Sequence, residues 1–131
     1  ISMSPFKALE LKNLSLINRF VRSATHDYAQ ECNGLMSDKQ LEIYEELAKN
    51  QVGLIMTGHL YVPALDKSHK PASFSKAVVT DLLQKELGFQ GLCFTDALAM
   101  KGASTKKTDN PSVKALLAGN DILLAPVAPN Q

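Results

Sequence analysis

The chain has 131 residues, of which 45% are hydrophobic and 21% charged, and its formal net charge is +1. This apolar content is too high for a disordered tail, and the lack of a run of about 18 apolar residues excludes a membrane span. The near-neutral charge gives no reason to expect a nucleic acid or membrane partner. Because no targeting signal is visible, we expect a soluble, cytoplasmic protein.

The first predicted elements are a hairpin, a strand and a helix. Apolar residues alternate on both sides of a turn over residues 6–17, which is typical of a small hairpin. Residues 19–25 follow as the first core strand. Helix one is predicted to begin at Ser37, because Gln40 lies three residues later, as in a capping box. The apolar run over 52–58 then indicates a buried parallel strand.

The second half continues the alternation of helices and strands. The remaining predicted elements are, in chain order, a helix from Ser75 to Gly88, a strand over 91–95, a helix that begins at Asn110 and Pro111 and ends at Gly119, and a fourth core strand over 121–125. Strands separated by helices imply parallel pairing with right-handed crossovers. All strand carboxyl ends then meet at one edge, where α/β proteins build their sites.

The predicted fold class is α/β: four parallel strands after an N-terminal hairpin, or half of a (βα) barrel. A complete barrel needs about 250 residues, roughly twice the length of this chain. A half-barrel leaves two strand edges and an apolar inner sheet face uncovered, which favours association. We therefore predict a homodimer that forms a TIM-barrel-like closed structure. The alternative is a monomeric, flavodoxin-like open sheet, but the three helices look one-sided.

The two cysteines indicate neither a disulfide framework nor a zinc site. Cys93 lies in an apolar strand, where we expect a buried thiol that packs as a small hydrophobe. Cys32 lies in a predicted loop. His26, His59 and Asp96 fall near the carboxyl edge of the sheet, and such a trio would suit zinc. Since nothing in their spacing demands a metal, we predict none.

The first part of the chain resembles a known family. Two stretches, PFKALELKNLSLINRFVRSAT and GLMSDKQLEIYEELAKNQVGLIMTG, are similar to the N-terminal barrel segment of old yellow enzyme-like NADH:flavin oxidoreductases. Over residues 1–58 this resemblance implies an FMN-contacting edge at Ser23, Ala24, Thr25 and Gly58. The family's later flavin-binding elements have no match, so no cofactor is predicted, and weak FMN or phosphate binding is kept as an alternative.

The second part resembles another family. The stretches HLYVPALD, PASFSKAVVTDLLQKELGFQGLCFTDALAMKG and VKALLAGNDILLAP are similar to the C-terminal part of the family 3 glycoside hydrolase barrel, over residues 55–128. In that family the aspartate of a Ser/Thr-Asp-x-x-x-Met motif is the catalytic nucleophile, which implies this role for Asp96. The family's histidine-bearing acid loop has no counterpart here, so the resemblance implies a vestigial nucleophile.

Together the two resemblances predict a chimera that forms one domain over 1–131. Residues 1–58 would be the flavin-oxidoreductase-like part and 59–131 the glycosidase-like part, with the junction within 55–59. The predicted function is that of an engineered or recombined scaffold without selected activity. One alternative is a residual glycoside hydrolase that uses Asp96, and another is a natural barrel fragment.

Overall fold

The computed structural model describes residues 4–24, 37–50, 52–103 and 110–125. The strands are β1 (Leu9–Leu11), β2 (Leu14–Leu16), β3 (Val21–Arg22), β4 (Leu54–Thr57) and β5 (Leu92–Thr95). The helices are α1 (Asp38–Lys49), α2 (Ala77–Glu86) and α3 (Pro111–Ala118), with single helical turns at Ala72–Phe74 and Lys101–Ala103. Within these segments no helix is long and apolar enough to cross a membrane.

The strands form a hairpin and a parallel sheet. β1 and β2 pair antiparallel, with Leu9 opposite Leu16, which confirms the predicted hairpin. β3, β4 and β5 pair in that order and all parallel. Leu54 of β4 lies opposite Val21 on one side and Leu92 on the other. The β-α alternation therefore produces the expected parallel sheet.

The prediction of a fourth core strand is wrong. The segment 121–125 runs beside β5, but only one isolated parallel bridge, between Phe94 and Ile122, joins the two. The physical reason is that the next hydrogen bond goes to a side chain instead of to the backbone of β5. The Leu124 amide donates to the Thr95 hydroxyl at 3.1 Å. Ala125 then adopts a φ of 43°, which turns the backbone away from the extended region.

The helix ends follow from local sequence signals. Ser37 and Gln40 form the predicted capping box, because the Gln40 amide donates to the Ser37 hydroxyl at 3.2 Å and the Gln40 side chain accepts from the Ser37 amide. Asn110 caps α3 by accepting from the Ser112 amide at 2.9 Å. Gly119 ends α3 with a φ of 108°, a left-handed conformation that favours glycine.

Helix α2 is a π-helix, which is wider than an ordinary α-helix. It starts at Ala77, two residues after Ser75, and its turns close with i→i+5 hydrogen bonds, such as that from the Leu87 amide to the Leu82 carbonyl at 2.8 Å. Ser75 still contributes to the start, because its hydroxyl accepts from the Val78 amide at 3.4 Å. Gly88 follows the helix with a φ of 69°, as predicted.

Helices α1, α2 and α3 pack on one face of the sheet. The main core cluster combines residues of α1, β4, α2, β5 and α3 with Phe89 of the loop between α2 and β5: Ala48, Ile55, Val79, Leu83, Phe89, Cys93 and Ala118. Along β4 and β5 burial alternates, so that Ile55 and Cys93 are buried whereas Leu54, Met56 and Phe94 are only half-buried. This one-sided packing agrees with the arrangement expected for a barrel segment.

Cys93 lies in that core. Its side chain is fully buried, and burial raises the pKa of the thiol to about 11. The prediction of a buried cysteine that packs as a small hydrophobe is confirmed, whereas Cys32 lies outside the described residues.

Candidate active site at the carboxyl edge of the sheet

Asp96 follows β5 directly and is held at the carboxyl edge of the sheet. Its amide donates to the Thr57 carbonyl at the end of β4, over 2.9 Å. Its Oδ1 accepts from the Ala97 amide at 2.7 Å. Within the described part of the chain, Oδ2 has no hydrogen-bond partner, and the side chain is only partly buried. The hydrogen bond to Oδ1 therefore orients the carboxylate, and no described residue occupies Oδ2.

His59 lies in the loop that follows β4 and contacts the same turn. Its Nδ1 lies 2.7 Å from the Ser73 hydroxyl, and its Nε2 lies 3.1 Å from the Ala97 carbonyl. Both ring nitrogens are therefore engaged by protein atoms. The structure brings His59 and the residue after Asp96 together, whereas His26, the third member of the predicted trio, lies outside the described residues.

No group of three or more His, Cys, Asp or Glu side chains in the described segments is placed to hold a metal ion. Since His26 is not among those residues, the absence of a metal stays a prediction.

A buried polar network, which the sequence pattern does not indicate, supports this edge of the sheet. Asn120, only 4% exposed, accepts from the Thr57 hydroxyl at 2.6 Å. Its Nδ2 donates to the carbonyls of Ser73, at 2.8 Å, and Ala115, at 2.9 Å. The Asn120 amide group therefore joins β4, α3 and the helical turn at Ala72–Phe74. The only sequence signal was a polar residue between the helix-ending Gly119 and an apolar run.

Hydrogen bonds to Asp66 connect the loop after β4 to the start of α2. Its Oδ1 accepts from the Ser68 amide at 2.8 Å, and its Oδ2 accepts from the buried Ser75 hydroxyl at 2.5 Å. The hydrogen bonds from Ser68, and then that from Ser75, lower the pKa of the Asp66 carboxyl to about 2. The charged form therefore holds the loop that lies beside the candidate site.

We expect Asp66→Asn to lower the free energy of unfolding at pH 7 by about 1 kcal/mol, because an amide accepts these bonds less strongly than a carboxylate. The folded-state pKa lies below the ordinary value of 3.8, so the stabilisation is present above about pH 4 and is lost as the pH falls toward 2. Urea unfolding at pH 7, 4 and 2 checks this. A difference between the two proteins that stays constant over that range would contradict it.

The residues that resemble a flavin edge lie at the ends of the first two parallel strands. Ser23 and Ala24 are exposed after β3, and Gly58 follows β4. A Cβ atom built on Gly58 would lie 3.8 Å from the Ala24 Cβ, so these two strand ends are adjacent. Thr25 lies outside the described residues. FMN binding at this edge stays a prediction.

The comparisons with known proteins concern one family. The sequence model of the glycosyl hydrolase family 3 N-terminal domain matches residues 24–131. The chain is 39% identical over 101 residues to β-hexosaminidase A of Pseudoalteromonas piscicida, and 40% identical over 82 residues to a β-hexosaminidase of Chromobacterium violaceum. These alignments cover 67% and 62% of this chain but only 17% and 22% of the relatives.

A solved structure agrees with this. The chain is similar to a family 3 β-N-acetylglucosaminidase from Paenibacillus sp., with a TM-score of 0.59 and 27% identity over 80% of this chain and 20% of that one. The chain therefore spans about a fifth of the length of these relatives.

The family match also bears on the predicted chimera. It starts at residue 24 and so includes most of the segment that resembles the flavin oxidoreductases. A junction within 55–59 consequently gains no support from the comparisons, and the residues on both sides of it fall within a single family match. The chain belongs to glycosyl hydrolase family 3, whose N-terminal domain is matched by residues 24–131.

Proposed function

We propose that this chain is the nucleophile-bearing part of a retaining glycoside hydrolase that acts on β-N-acetylhexosaminides, with Asp96 as the nucleophile. The observation that carries the proposal is the Asp96 carboxylate, held through Oδ1 by the Ala97 amide at 2.7 Å, at the edge where parallel sheets build active sites. The substrate class is taken from the relatives, whose names are β-hexosaminidases.

In this reaction Oδ2 of Asp96 attacks the anomeric carbon and forms a glycosyl ester. The bond from that carbon to the leaving oxygen breaks, and its electron pair stays on the oxygen, which takes up a proton. Water then hydrolyses the ester and releases the sugar. The protonation step requires a second group about 5 Å from the nucleophile in retaining enzymes. His59 does not provide it, because both of its ring nitrogens are engaged.

A leaving group that needs no proton therefore tests the nucleophile alone. We expect a 2,4-dinitrophenyl β-N-acetylglucosaminide to give a burst of dinitrophenolate equal to the protein concentration, and intact-mass spectrometry to show one sugar residue added. A peptide map should place the sugar on Asp96. Without a burst or an adduct, the competing proposal of a barrel scaffold without activity would be favoured.

We also propose that two copies associate through their uncovered surfaces as half-barrels. On α3, Leu116 and Leu117 are 52% and 73% exposed although they are apolar, and among the described residues β3 is an end strand of the sheet. Surfaces of this kind are normally covered by a partner. Light scattering across a range of concentrations should give the mass of a dimer. A monomer at every concentration would contradict this, and Leu117→Lys should weaken the dimer.

A further inference from the structure

We propose that His59 is a positioning residue for the nucleophile, acting through the turn that follows Asp96. This inference rests on the proposed function of Asp96. His59 would not touch the substrate's reacting atoms. It would hold the Ala97 carbonyl and so fix the turn, and the Ala97 amide, on the other side of the same Cα, would then keep the Asp96 carboxylate in one orientation.

The turn after Asp96 is anchored from several elements. The Ala97 carbonyl accepts from the Met100 amide at 3.0 Å, which closes the turn, and from His59 Nε2 at 3.1 Å. On either side, the Asp96 amide donates to the Thr57 carbonyl and the Leu98 amide donates to the Leu124 carbonyl. At Ala97 the contact from another element comes from a side chain, so a single substitution at His59 can remove it.

The hydrogen bonds define the tautomer of the His59 ring. A carbonyl oxygen only accepts, so Nε2 must carry a hydrogen and donate to Ala97. In the neutral ring Nδ1 is then the acceptor, and the Ser73 hydroxyl donates to it at 2.7 Å. The Ala97 carbonyl thereby selects the tautomer, and the Ser73 hydroxyl fits it because a hydroxyl can donate to Nδ1.

Ser73 is itself firmly placed. Its side chain is fully buried, its carbonyl accepts from Asn120 Nδ2 at 2.8 Å, and its amide donates to the Gly58 carbonyl at 3.1 Å. A continuous series of hydrogen bonds therefore runs from the buried Asn120 through Ser73 and His59 to Ala97 and the Asp96 carboxylate. Such support is what keeps a catalytic group in a productive geometry.

Two substitutions at His59 distinguish loss of the hydrogen bond to the Ala97 carbonyl from a mere change in side-chain size. In His59→Gln the side-chain amide nitrogen can reach the place of ring Nε2 and donate to Ala97, whereas in His59→Asn it reaches only as far as Nδ1. We expect His59→Asn to lower the rate constant of the dinitrophenolate burst up to about 100-fold, the effect of a misplaced reacting group. His59→Gln should recover most of that loss.

The concentration dependence of the burst gives the dissociation constant of the substrate, which should stay within about twofold of that of the unmodified chain in both variants. A general loss of folding would instead weaken binding and lower the thermal midpoint. Ser73→Ala should reproduce the slower burst with unchanged substrate binding, because the ring then loses its donor at Nδ1.

Amide hydrogen exchange followed by NMR tests the inference without any turnover. The Met100 amide should exchange about 10-fold faster in His59→Asn than in the unmodified chain and stay slow in His59→Gln, whereas the Leu98 amide is the internal control. Unchanged exchange at Met100 in His59→Asn would overturn the inference about His59 but would leave the proposed function of Asp96 intact. A missing burst in the unmodified chain would overturn the proposed function, and the catalytic effect of His59 with it.

Discussion

Asp96→Asn should abolish both the burst of dinitrophenolate and the sugar adduct. The amide that replaces the carboxylate still accepts from the Ala97 amide, so the turn keeps its bond at Oδ1, but the side chain loses the negative charge that attacks the anomeric carbon. We expect the glycosylation rate to fall at least ~1000-fold, which corresponds to about 4 kcal/mol of transition-state stabilisation. Stopped-flow absorbance and intact-mass spectrometry measure the two effects.

The matched control is Asp81→Asn. Asp81 lies on α2, where it pairs with Lys85 at 2.9 Å on the surface, so the same chemical change there removes an exposed carboxylate only. Its burst should equal that of the unmodified chain. A burst that persists in Asp96→Asn, or an adduct that maps to another residue, would show that Asp96 is not the nucleophile.

The substrate can supply a second check on the same step. The acetamido group of a β-N-acetylglucosaminide is itself able to attack the anomeric carbon in some glycosidase families, whereas a plain β-glucoside carries no such group. An adduct on Asp96 with both dinitrophenyl glycosides would assign the attack to the carboxylate. Release of dinitrophenolate without an adduct, and only from the acetamido sugar, would assign it to the substrate.

Signals confined to a few neighbouring residues predicted the fold well. The capping box at Ser37 and Gln40, the cap at Asn110 and the left-handed Gly119 are all decided within one turn of chain, so the sequence contains the whole interaction. The order of the parallel strands follows from their alternation with helices. The position of Asp96 at the carboxyl edge follows from the same topology.

The features that the sequence did not predict depend on hydrogen bonds between residues that lie far apart in the chain. The predicted fourth strand does not form because the Thr95 hydroxyl accepts a hydrogen bond from the Leu124 amide, 29 positions later in the sequence. The contact between Asn120 and Thr57 spans 63 positions, and that between His59 and Ala97 spans 38. An apolar run looks the same whether its backbone pairs with another strand or with a side chain. The supporting network of the candidate site was therefore visible only in the structure.

The same network gives the largest expected change in stability. Asn120→Ala should lower the free energy of unfolding by about 3 kcal/mol, because it removes three hydrogen bonds to an amide that is only 4% exposed. It also leaves the buried Thr57 hydroxyl and the Ser73 carbonyl without those bonds. Single domains are stabilised by only about 5–15 kcal/mol in total, so this is a large fraction. Urea unfolding followed by circular dichroism measures it.

Asn50→Ala is the matched control, since it is the same substitution at an exposed asparagine. Asn50 follows α1 and donates from Nδ2 to the Glu46 carbonyl at 2.9 Å, a bond that water replaces readily. Its loss should lower the free energy of unfolding by less than about 1 kcal/mol. Equal effects of the two substitutions would contradict a supporting role for Asn120. If the role is correct, Asn120→Ala should also speed exchange of the Met100 amide, because the Ser73 carbonyl that anchors the His59 contact loses its donor.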